Sequence, residues 1–278
     1  MVPRVVCDRS GRAVGRALYA AAAAMTVALA AAPGLAQTSK PGSDDELAAR
    51  SEDPTAALMS FEVDDWYESG LYDHDGTNNQ AVFRTVLPFT AGAVDHIFRL
   101  TQQYTTETYN NKLGGSDPEL VYLAGTRAPW GRWGIGAVLE PPTGSEELTS
   151  KKWSMGPSFG VVDTSDRDDS WGMFVRSYSS FAGTERAKKV GIVNVQPLYT
   201  LKLGDGRTLS LGETEAVYNT AESKWKTLQV GLKFGQVVTL GSSKWKPTAE
   251  ADYNFCDNTA GNPRWTIRIG ITALVPEG

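Results

Sequence analysis

Regular alternation of polar and apolar residues is the clearest pattern along this chain. Residues 246–255, KPTAEADYNF, put polar side chains on one parity and small or apolar ones on the other: Thr248, Glu250, Asp252 and Asn254 against Ala249, Ala251, Tyr253 and Phe255. Because successive side chains of a β-strand point to opposite faces, this segment predicts a strand with one polar and one apolar face. The apolar face has to be covered, either by a second sheet as in a sandwich or by lipid as in an outer-membrane barrel.

Other segments repeat this alternation. Near the end of the chain one parity is almost wholly apolar: Trp265, Ile267, Ile269, Ile271 and Ala273. Residues 225–235 and 58–67 follow the same rule, whereas residues 118–127, 131–140 and 170–181 alternate less regularly. The regular segments predict apolar side chains that face outward and polar side chains that face inward.

The alternating segments and the turn signals between them predict a series of strands with no long amphipathic helix among them. There are twelve: residues 58–67, 80–88, 95–106, 118–127, 131–140, 152–162, 170–181, 190–202, 207–216, 225–240, 244–255 and 264–275. Compact connections such as RAPWG and LGDGR alternate with longer polar ones such as ESGLYDHDGTNN and EPPTGSEELTSKK. Bacterial outer-membrane barrels have an even number of strands, short periplasmic turns and longer extracellular loops. We therefore predict an all-β, antiparallel transmembrane β-barrel of about twelve strands.

Tryptophans flank the predicted strands in two groups. These are Trp153, Trp225 and Trp265 at the proposed outer rim, and Trp130, Trp133, Trp171 and Trp245 at the proposed inner rim. Indole rings favour the level of the lipid headgroups, so two belts at opposite ends are expected of a barrel that spans a membrane.

The first 36 residues have the features of a signal peptide. Four arginines precede the apolar run ALYAAAAAMTVALAAA, and the small residues Gly34 and Ala36 precede the predicted cleavage site. We therefore expect an exported protein. Residues 37–57 are polar, charged and contain proline, which predicts a flexible periplasmic lead-in, and residues 58–278 are assigned to the barrel.

Composition narrows the remaining classes of protein. After the predicted cleavage Cys256 is the only cysteine, so we expect no intrachain disulfide. The formal net charge of -5 provides no basic surface for nucleic acid. No later segment approaches the roughly 18 consecutive apolar residues of a spanning helix, so a membrane crossing would be made by strands.

The sequence contains no strong catalytic or metal-binding motif. A nucleophilic hydrolase needs a serine and a histidine within hydrogen-bonding reach, but neither His74 nor His96 has a serine at a suggestive spacing on its own segment. Asp73, Asp75 and Asn78 have the spacing that begins a calcium-binding loop, yet the later bidentate glutamate is missing. We therefore expect no catalytic residue, no cofactor and no metal site.

Charged residues of both signs are predicted to line the lumen. With the inward parities above, nine point inward: Glu62, Asp64, Arg84, Arg99, Arg176, Lys233, Glu250, Asp252 and Arg268. A barrel of about twelve strands encloses more space than an eight-stranded barrel and less than a porin. Opposed acids and bases either leave a narrow selective path or pair to close it, and the sequence leaves both alternatives open.

Five runs are characteristic: VLPF (86–89), PWGRWGIGA (129–137), WSMGPSFG (153–160), DYNF (252–255) and WTIRIGITALVP (265–276). Through them most of residues 55–276 resembles a family of Gram-negative outer-membrane proteins that are labelled as transporters or grouped with the outer-membrane proteins of meta-pathway phenol degradation. The resemblance implies a barrel with an uptake role for small, partly apolar compounds. That family tends to carry an aromatic residue before its last proline, where this chain has Val275.

We expect a porin-like outer-membrane barrel that acts as a passive channel or transporter for small, partly apolar solutes, and not an enzyme. Its partners would be outer-membrane lipid, a small-molecule solute and the barrel-assembly machinery, with no nucleic acid. Three alternatives stay open: a soluble periplasmic β-protein that binds a ligand or partner, a lipid-modifying barrel enzyme, and a purely structural barrel.

Overall fold

The computed structural model describes residues 43–166, 168–257 and 259–275. The predicted signal peptide, residues 1–36, and residues 37–42 of the predicted lead-in lie outside the described residues. One short helix, α1 (Asp44–Arg50), precedes the first strand. No helix in the described part of the chain has the length and apolar character needed to cross a membrane.

All strands of the described chain belong to one antiparallel sheet. Its strands are β1 (Met59–Ser69), β2 (Thr77–Ala91), β3 (Val94–Glu107), β4 (Gly114–Gly115), β5 (Glu119–Ala128), β6 (Gly131–Glu140), β7 (Lys152–Asp163), β8 (Asp169–Gly183), β9 (Gly191–Gly204), β10 (Arg207–Ser210), β11 (Glu215–Asn219), β12 (Lys224–Gln236), β13 (Val238–Leu240), β14 (Ser243–Asn254) and β15 (Trp265–Val275). β1 pairs with β15 along its whole length, from Met59 opposite Val275 to Ser69 opposite Trp265. The first and last strands therefore close the sheet into a barrel.

These strands occupy twelve positions around the barrel. β10 and β11 lie end to end between β9 and β12, β13 continues β12 along β14, and β4 is a short strand beside β3. Each strand predicted from the alternation coincides with one of the twelve positions, apart from small differences at the ends. The predicted all-β antiparallel barrel is confirmed.

The two ends of the barrel differ in the length of their connections. At one end, called the short-turn end, the β2–β3 turn centres on Gly92 and the β9–β10 turn on Asp205 and Gly206, all three with positive φ. Two-residue hairpin turns need this backbone conformation. At the other end, called the long-loop end, the connections include residues 141–151 and 255–264. β1 begins and β15 ends at the short-turn end, as a bacterial barrel with periplasmic termini requires.

Apolar side chains cover the outside of the barrel. Ile135, Val230, Leu232 and Ile269 are 57%, 53%, 58% and 57% exposed, and no second layer of described residues packs over them. Exposed tryptophans lie on the same surface at both ends of the strands: Trp153, Trp225 and Trp265 at the long-loop end, and Trp130, Trp133 and Trp171 at the short-turn end. A sandwich would bury such a face, whereas a lipid-facing barrel leaves it exposed to the bilayer.

The segment before β1, residues 43–58, lies inside the barrel and is called the inner segment. The Ser43 hydroxyl accepts the Glu46 N–H at 3.3 Å and caps α1. Five buried side chains of the helix, its flank and the barrel wall pack together: Leu47, Ala48, Leu58, Val237 and Leu274. Residues 43–57, predicted to be a flexible lead-in, form α1 and a following segment whose polar groups bond to the inner wall of the barrel.

Candidate functional site

The inward face of the barrel can be followed through cross-strand partners, since residues directly opposite one another lie on the same face. Glu62 lies opposite Arg84, and Glu250 lies opposite both Lys233 and Arg268. The structure places all nine charged residues named from the sequence on this face, each buried or half-buried: Glu62, Asp64, Arg84, Arg99, Arg176, Lys233, Glu250, Asp252 and Arg268.

Lys246 joins the inner segment to the wall of the barrel. Its side chain is 1% exposed, and its Nζ lies 2.6 Å from Glu52 Oε1. The same ammonium group donates to the Ala48 carbonyl and to the Ser51 hydroxyl, each at 2.9 Å. All three N–H donors of Lys246 are therefore used by the inner segment.

Lys233 adds a second cation to the same carboxylate. Its Nζ lies 3.5 Å from Glu52 Oε2 and 3.7 Å from Glu62 Oε1. Burial by itself would raise the pKa of Glu52, but the ammonium groups of Lys233 and Lys246 outweigh burial and lower that pKa from 4.5 to about 2. Glu52 is therefore ionised at neutral pH and holds the inner segment in place.

A second attachment of the inner segment is centred on Asp53. Its Oδ2 accepts from Arg132 Nη2 at 2.6 Å and from Nε at 2.9 Å, and its Oδ1 accepts from the Thr55 N–H at 2.7 Å. The methyl group of Thr55 faces Gly160, where an added Cβ would come within 2.7 Å of it. The inner segment therefore touches the wall at a position that has no room for a side chain.

Arg268 binds the two carboxylates of the alternating segment 246–255, Glu250 and Asp252. Its Nη1 lies 2.8 Å from Glu250 Oε1 and also donates to Asp252 Oδ2. The guanidinium carbon lies 4.4 Å from the centroid of the Trp66 ring. Glu250 Oε1 also accepts the Glu213 N–H at 2.6 Å. Glu250 and Asp252 are thus engaged in protein contacts that shape the lumen.

One strand position is interrupted by an inward loop, residues 211–214. The predicted strand over 207–216 is continuous, but β10 ends at Ser210 and β11 begins at Glu215. Gly212, with φ 56°, makes this departure from the strand, a role that glycine commonly has within strands. Across the lumen, Glu213 Oε1 lies 2.9 Å from Arg84 Nη1, so the loop forms a constriction.

Arg99 and Arg176 share one carboxylate. Arg176 Nη1 donates to both oxygens of Glu119, at 2.5 and 2.7 Å, whereas Arg99 Nη2 reaches only Oε1, at 3.3 Å. Both guanidinium groups lie over the Phe174 ring, at 5.0 Å for Arg99 and 5.3 Å for Arg176. Two cations, one anion and one aromatic ring thus form a compact cluster on the inner wall.

Part of the inner wall is apolar. Its buried side chains form a single cluster: Ile97, Val121, Leu123, Val138 and Phe174. They belong to β3, β5, β6 and β8, and the outward faces of β5, β6 and β8 are apolar as well. This explains why residues 118–127, 131–140 and 170–181 alternate poorly in sequence, since both faces of those strands meet apolar surroundings.

Two cavities lie in the lumen that the described residues enclose. The upper cavity, toward the long-loop end, has a volume of about 280 Å³ and is lined mainly by charged and polar side chains. The lower cavity, about 80 Å³, lies between the apolar wall and the inner segment. Arg84, Arg99, Gln196 and Glu213 line both cavities, so the constriction separates them.

The two histidines lie away from this lumen. His96 is on the outer face near the short-turn end, where its Nδ1 is 2.8 Å from the Tyr122 hydroxyl and its ring stacks on Phe89. His74 stacks on Tyr109 in the loops of the other end. Within the described ranges neither histidine bonds to a serine, and no three His, Cys, Asp or Glu residues form a metal-binding group.

Several charged residues of the lumen were not identified from the sequence: Glu52, Asp53, Glu119, Glu213, Glu215 and Lys246. Lys246 shares its parity with Glu250, so the alternation already contained a signal for it. Glu119 begins a strand whose alternation is irregular, and Glu213 follows the break at Gly212. Nothing in the local sequence indicates that Glu52 and Asp53 turn into the barrel.

No family model matches the chain, and no curated protein sequence matches it. Among solved structures the chain is similar to an outer-membrane channel from Pseudomonas putida F1, with a TM-score of 0.55 and 11% sequence identity over 86% of this chain and 100% of the channel. It also aligns with a porin variant of Rh. blastica, with a TM-score of 0.24 and 9% identity over 78% of this chain and 99% of the porin.

The similarity to the Pseudomonas channel shows a shared fold. This chain has the fold of an outer-membrane β-barrel. The barrel fold implied by the sequence resemblance is therefore supported, and nothing in these comparisons bears on phenol degradation.

Proposed function

We propose that this protein is a passive channel of the bacterial outer membrane for small solutes. Its apolar outer surface would contact outer-membrane lipid, the barrel-assembly machinery would insert it, and its long-loop end would face the outside of the cell. The observation that carries the proposal is the upper cavity, a polar space of about 280 Å³ inside a barrel whose outer surface is apolar.

A solute would enter from the long-loop end and reach the lower cavity past the ion pair of Arg84 and Glu213. The inner segment fills the lumen below that point. It is held by side-chain hydrogen bonds, ion pairs and one small apolar cluster, and within the described residues it takes part in no strand pairing. It can therefore leave the wall without unfolding the barrel, and we propose that its displacement opens the channel.

The solutes would be small and partly apolar. The apolar cluster on the inner wall provides contacts for a hydrocarbon body, which a uniformly charged lumen would not provide. The sequence resemblance to uptake proteins of phenol degradation favours the same class of compound.

Planar-bilayer recordings of the purified full-length protein test this proposal. We expect rare openings in the wild type and a larger open-state conductance in Arg84→Gln, because the constriction loses its ion pair with Glu213. Arg127→Gln is the matched control, since Arg127 is 62% exposed at the short-turn end and pairs with Asp95. A wild type and a Lys246→Met variant that both never conduct would contradict the channel and favour a structural barrel.

Localisation is tested separately. We expect the protein in the outer-membrane fraction, with a gel mobility that changes on boiling as folded barrels do. Recovery of a detergent-free monomer from a periplasmic extract would contradict the membrane location and favour a soluble ligand-binding protein.

A further inference from the structure

Arg99 makes fewer hydrogen bonds to the protein than its guanidinium group can form. Among the described residues its hydrogen-bond partner is Glu119, at 3.3 Å, and Arg176 holds the same carboxylate through shorter bonds. Guanidinium offers five N–H donors, so most of those of Arg99 have no protein acceptor. Its Nε is buried without a partner.

The upper cavity is lined by carboxylates as well as cations, but its unpartnered buried atoms are mostly donors. Among its described lining residues, four buried donors have no partner: Trp66 Nε1, Arg99 Nε, Arg176 Nε and Arg268 Nε. One buried acceptor of the same lining, Asn194 Oδ1, is unpaired. Buried donors without acceptors are costly, so this surface favours a ligand that brings acceptor oxygens.

The position of Arg99 adds an apolar requirement. Arg99 borders both cavities, and the lower one is lined by the apolar side chains Ile97, Val121 and Leu123. A ligand whose anionic group lies at Arg99 can therefore place an apolar body against that wall. An inorganic anion would use the charge and leave the apolar contacts unused.

We propose that the lumen contains a binding site for a small organic acid with an apolar body, whose carboxylate is bound by Arg99. This inference rests on the proposed function and names the class of solute. A guanidinium group can bind a carboxylate through two parallel N–H···O bonds. Glu119 makes only one long contact with Arg99, so Arg99 does not form such a pair within the protein. Arg176 keeps Glu119 and adds a second nearby positive charge.

Calorimetric titration of the full-length protein in detergent micelles tests the site, with benzoate as the probe. Benzamide has nearly the same shape without the charge, and inorganic phosphate has the charge without the apolar body. We expect benzoate to bind at least about tenfold more tightly than either, since charge-assisted hydrogen bonds and apolar burial each contribute that much. Equal binding of benzamide would overturn the role of charge, and equal binding of phosphate would overturn the apolar requirement.

Substitutions at Arg99 and at its partner Glu119 test whether Arg99 forms the site. Arg99→Gln should weaken benzoate binding at least about tenfold, and Arg99→Lys, which keeps the charge and loses the planar fork, should weaken it less. Glu119→Gln should strengthen binding, because it removes the internal competitor for Arg99. Arg127→Gln, on the exposed rim, should leave binding unchanged. Heat-modifiable gel mobility verifies that each barrel is folded, and unchanged benzoate binding in folded Arg99→Gln would overturn the assignment.

The binding experiment and the conductance experiment can overturn the Arg99 site and the channel separately. A barrel that binds benzoate through Arg99 but never conducts would retain this site and overturn the channel. A barrel that conducts but does not distinguish benzoate from benzamide would retain the channel and overturn this site.

Discussion

Glu52 and Lys246 form a buried ion pair of 2.6 Å although they are 194 positions apart in the sequence. Glu52 belongs to the segment that precedes the first strand, and Lys246 to the inner face of β14. Because Lys246 also bonds to the Ala48 carbonyl and the Ser51 hydroxyl, one ammonium group holds the C-terminal end of α1 and the turn that follows it. The position of the inner segment inside the barrel therefore depends strongly on this contact.

Replacing Lys246 with methionine should release the inner segment. Loss of one partner of a buried ion pair typically costs about 3–5 kcal/mol, and Lys233 compensates only in part. We expect more frequent openings in bilayer recordings and faster tryptic cleavage after Arg50. Lys188→Met, at a lysine that is 93% exposed, is the control. Unchanged cleavage in folded Lys246→Met would contradict the role of this contact.

Acid should also release the inner segment. The pKa of Glu52 is lowered from 4.5 to about 2, so its contribution is complete above pH 4.5 and is lost as the pH falls toward 2. The shift corresponds to about 3 kcal/mol of free energy by which the ionised Glu52 stabilises the inner segment in place, since one pKa unit is about 1.4 kcal/mol. The opening probability should therefore rise progressively as the pH is lowered from 5 to 2. A Glu52→Gln variant should be more open at neutral pH and should respond less to acid; identical profiles would contradict this assignment.

A methyl group added at Gly160 should push the inner segment off the wall. The new Cβ would lie 2.7 Å from the Thr55 methyl group, and such overpacking costs about 1–3 kcal/mol. We expect Gly160→Ala to open more often than the wild type. Thr55→Ser removes the clashing methyl group and keeps the hydroxyl that bonds to Asp53, so the double variant should close again. If the double variant opens as often as Gly160→Ala, the clash with the Thr55 methyl group is not the cause of the opening.

Truncation of Glu250 should loosen the inward loop. Glu250→Ala removes the acceptor of the Glu213 N–H and one partner of Arg268, at a cost of about 1–3 kcal/mol. We expect a changed single-channel conductance and ion selectivity with normal assembly. Glu222→Ala, in a loop at the long-loop end, is the control. Wild-type conductance in folded Glu250→Ala would contradict a role for the inward loop as the constriction.

A cation on the outer surface should hinder membrane insertion according to its depth. Ile269 is 57% exposed in the middle part of β15, and arginine near the bilayer midplane costs about 2–4 kcal/mol. Leu240 is 59% exposed beside the short-turn end, where the same change costs about 0–1 kcal/mol. Membrane yield should therefore fall for Ile269→Arg and not for Leu240→Arg. Equal yields would contradict a lipid-facing outer surface.

The strand positions could be predicted because each strand meets two contrasting environments. In residues 246–255 the polar parity faces the lumen and the apolar parity faces outward, so the local alternation determines both the strand and its facing. The facing of Arg84, Lys233 and Arg268 follows from the same rule. The alternation is weak where the inner wall is itself apolar, as at Val121, Leu123 and Phe174.

The inner segment could not be predicted in the same way. Residues 43–57 are rich in charges and contain proline, a composition typical of flexible chain. Their order comes from Lys246, Lys233 and Arg132, which belong to strands distant in sequence. The inward loop at Gly212 is an intermediate case, because its glycine is visible in the sequence but its partner Arg84 is not.

The sequence by itself determined an antiparallel barrel of twelve strands and the side of each regular strand that faces inward, because alternation is a local property of the backbone and its two environments. Only the tertiary structure decided which charges pair, where the lumen narrows and what fills its lower half. Those features depend on distances between strands that close into a ring, and on an inner segment whose charges are neutralised by residues of that ring.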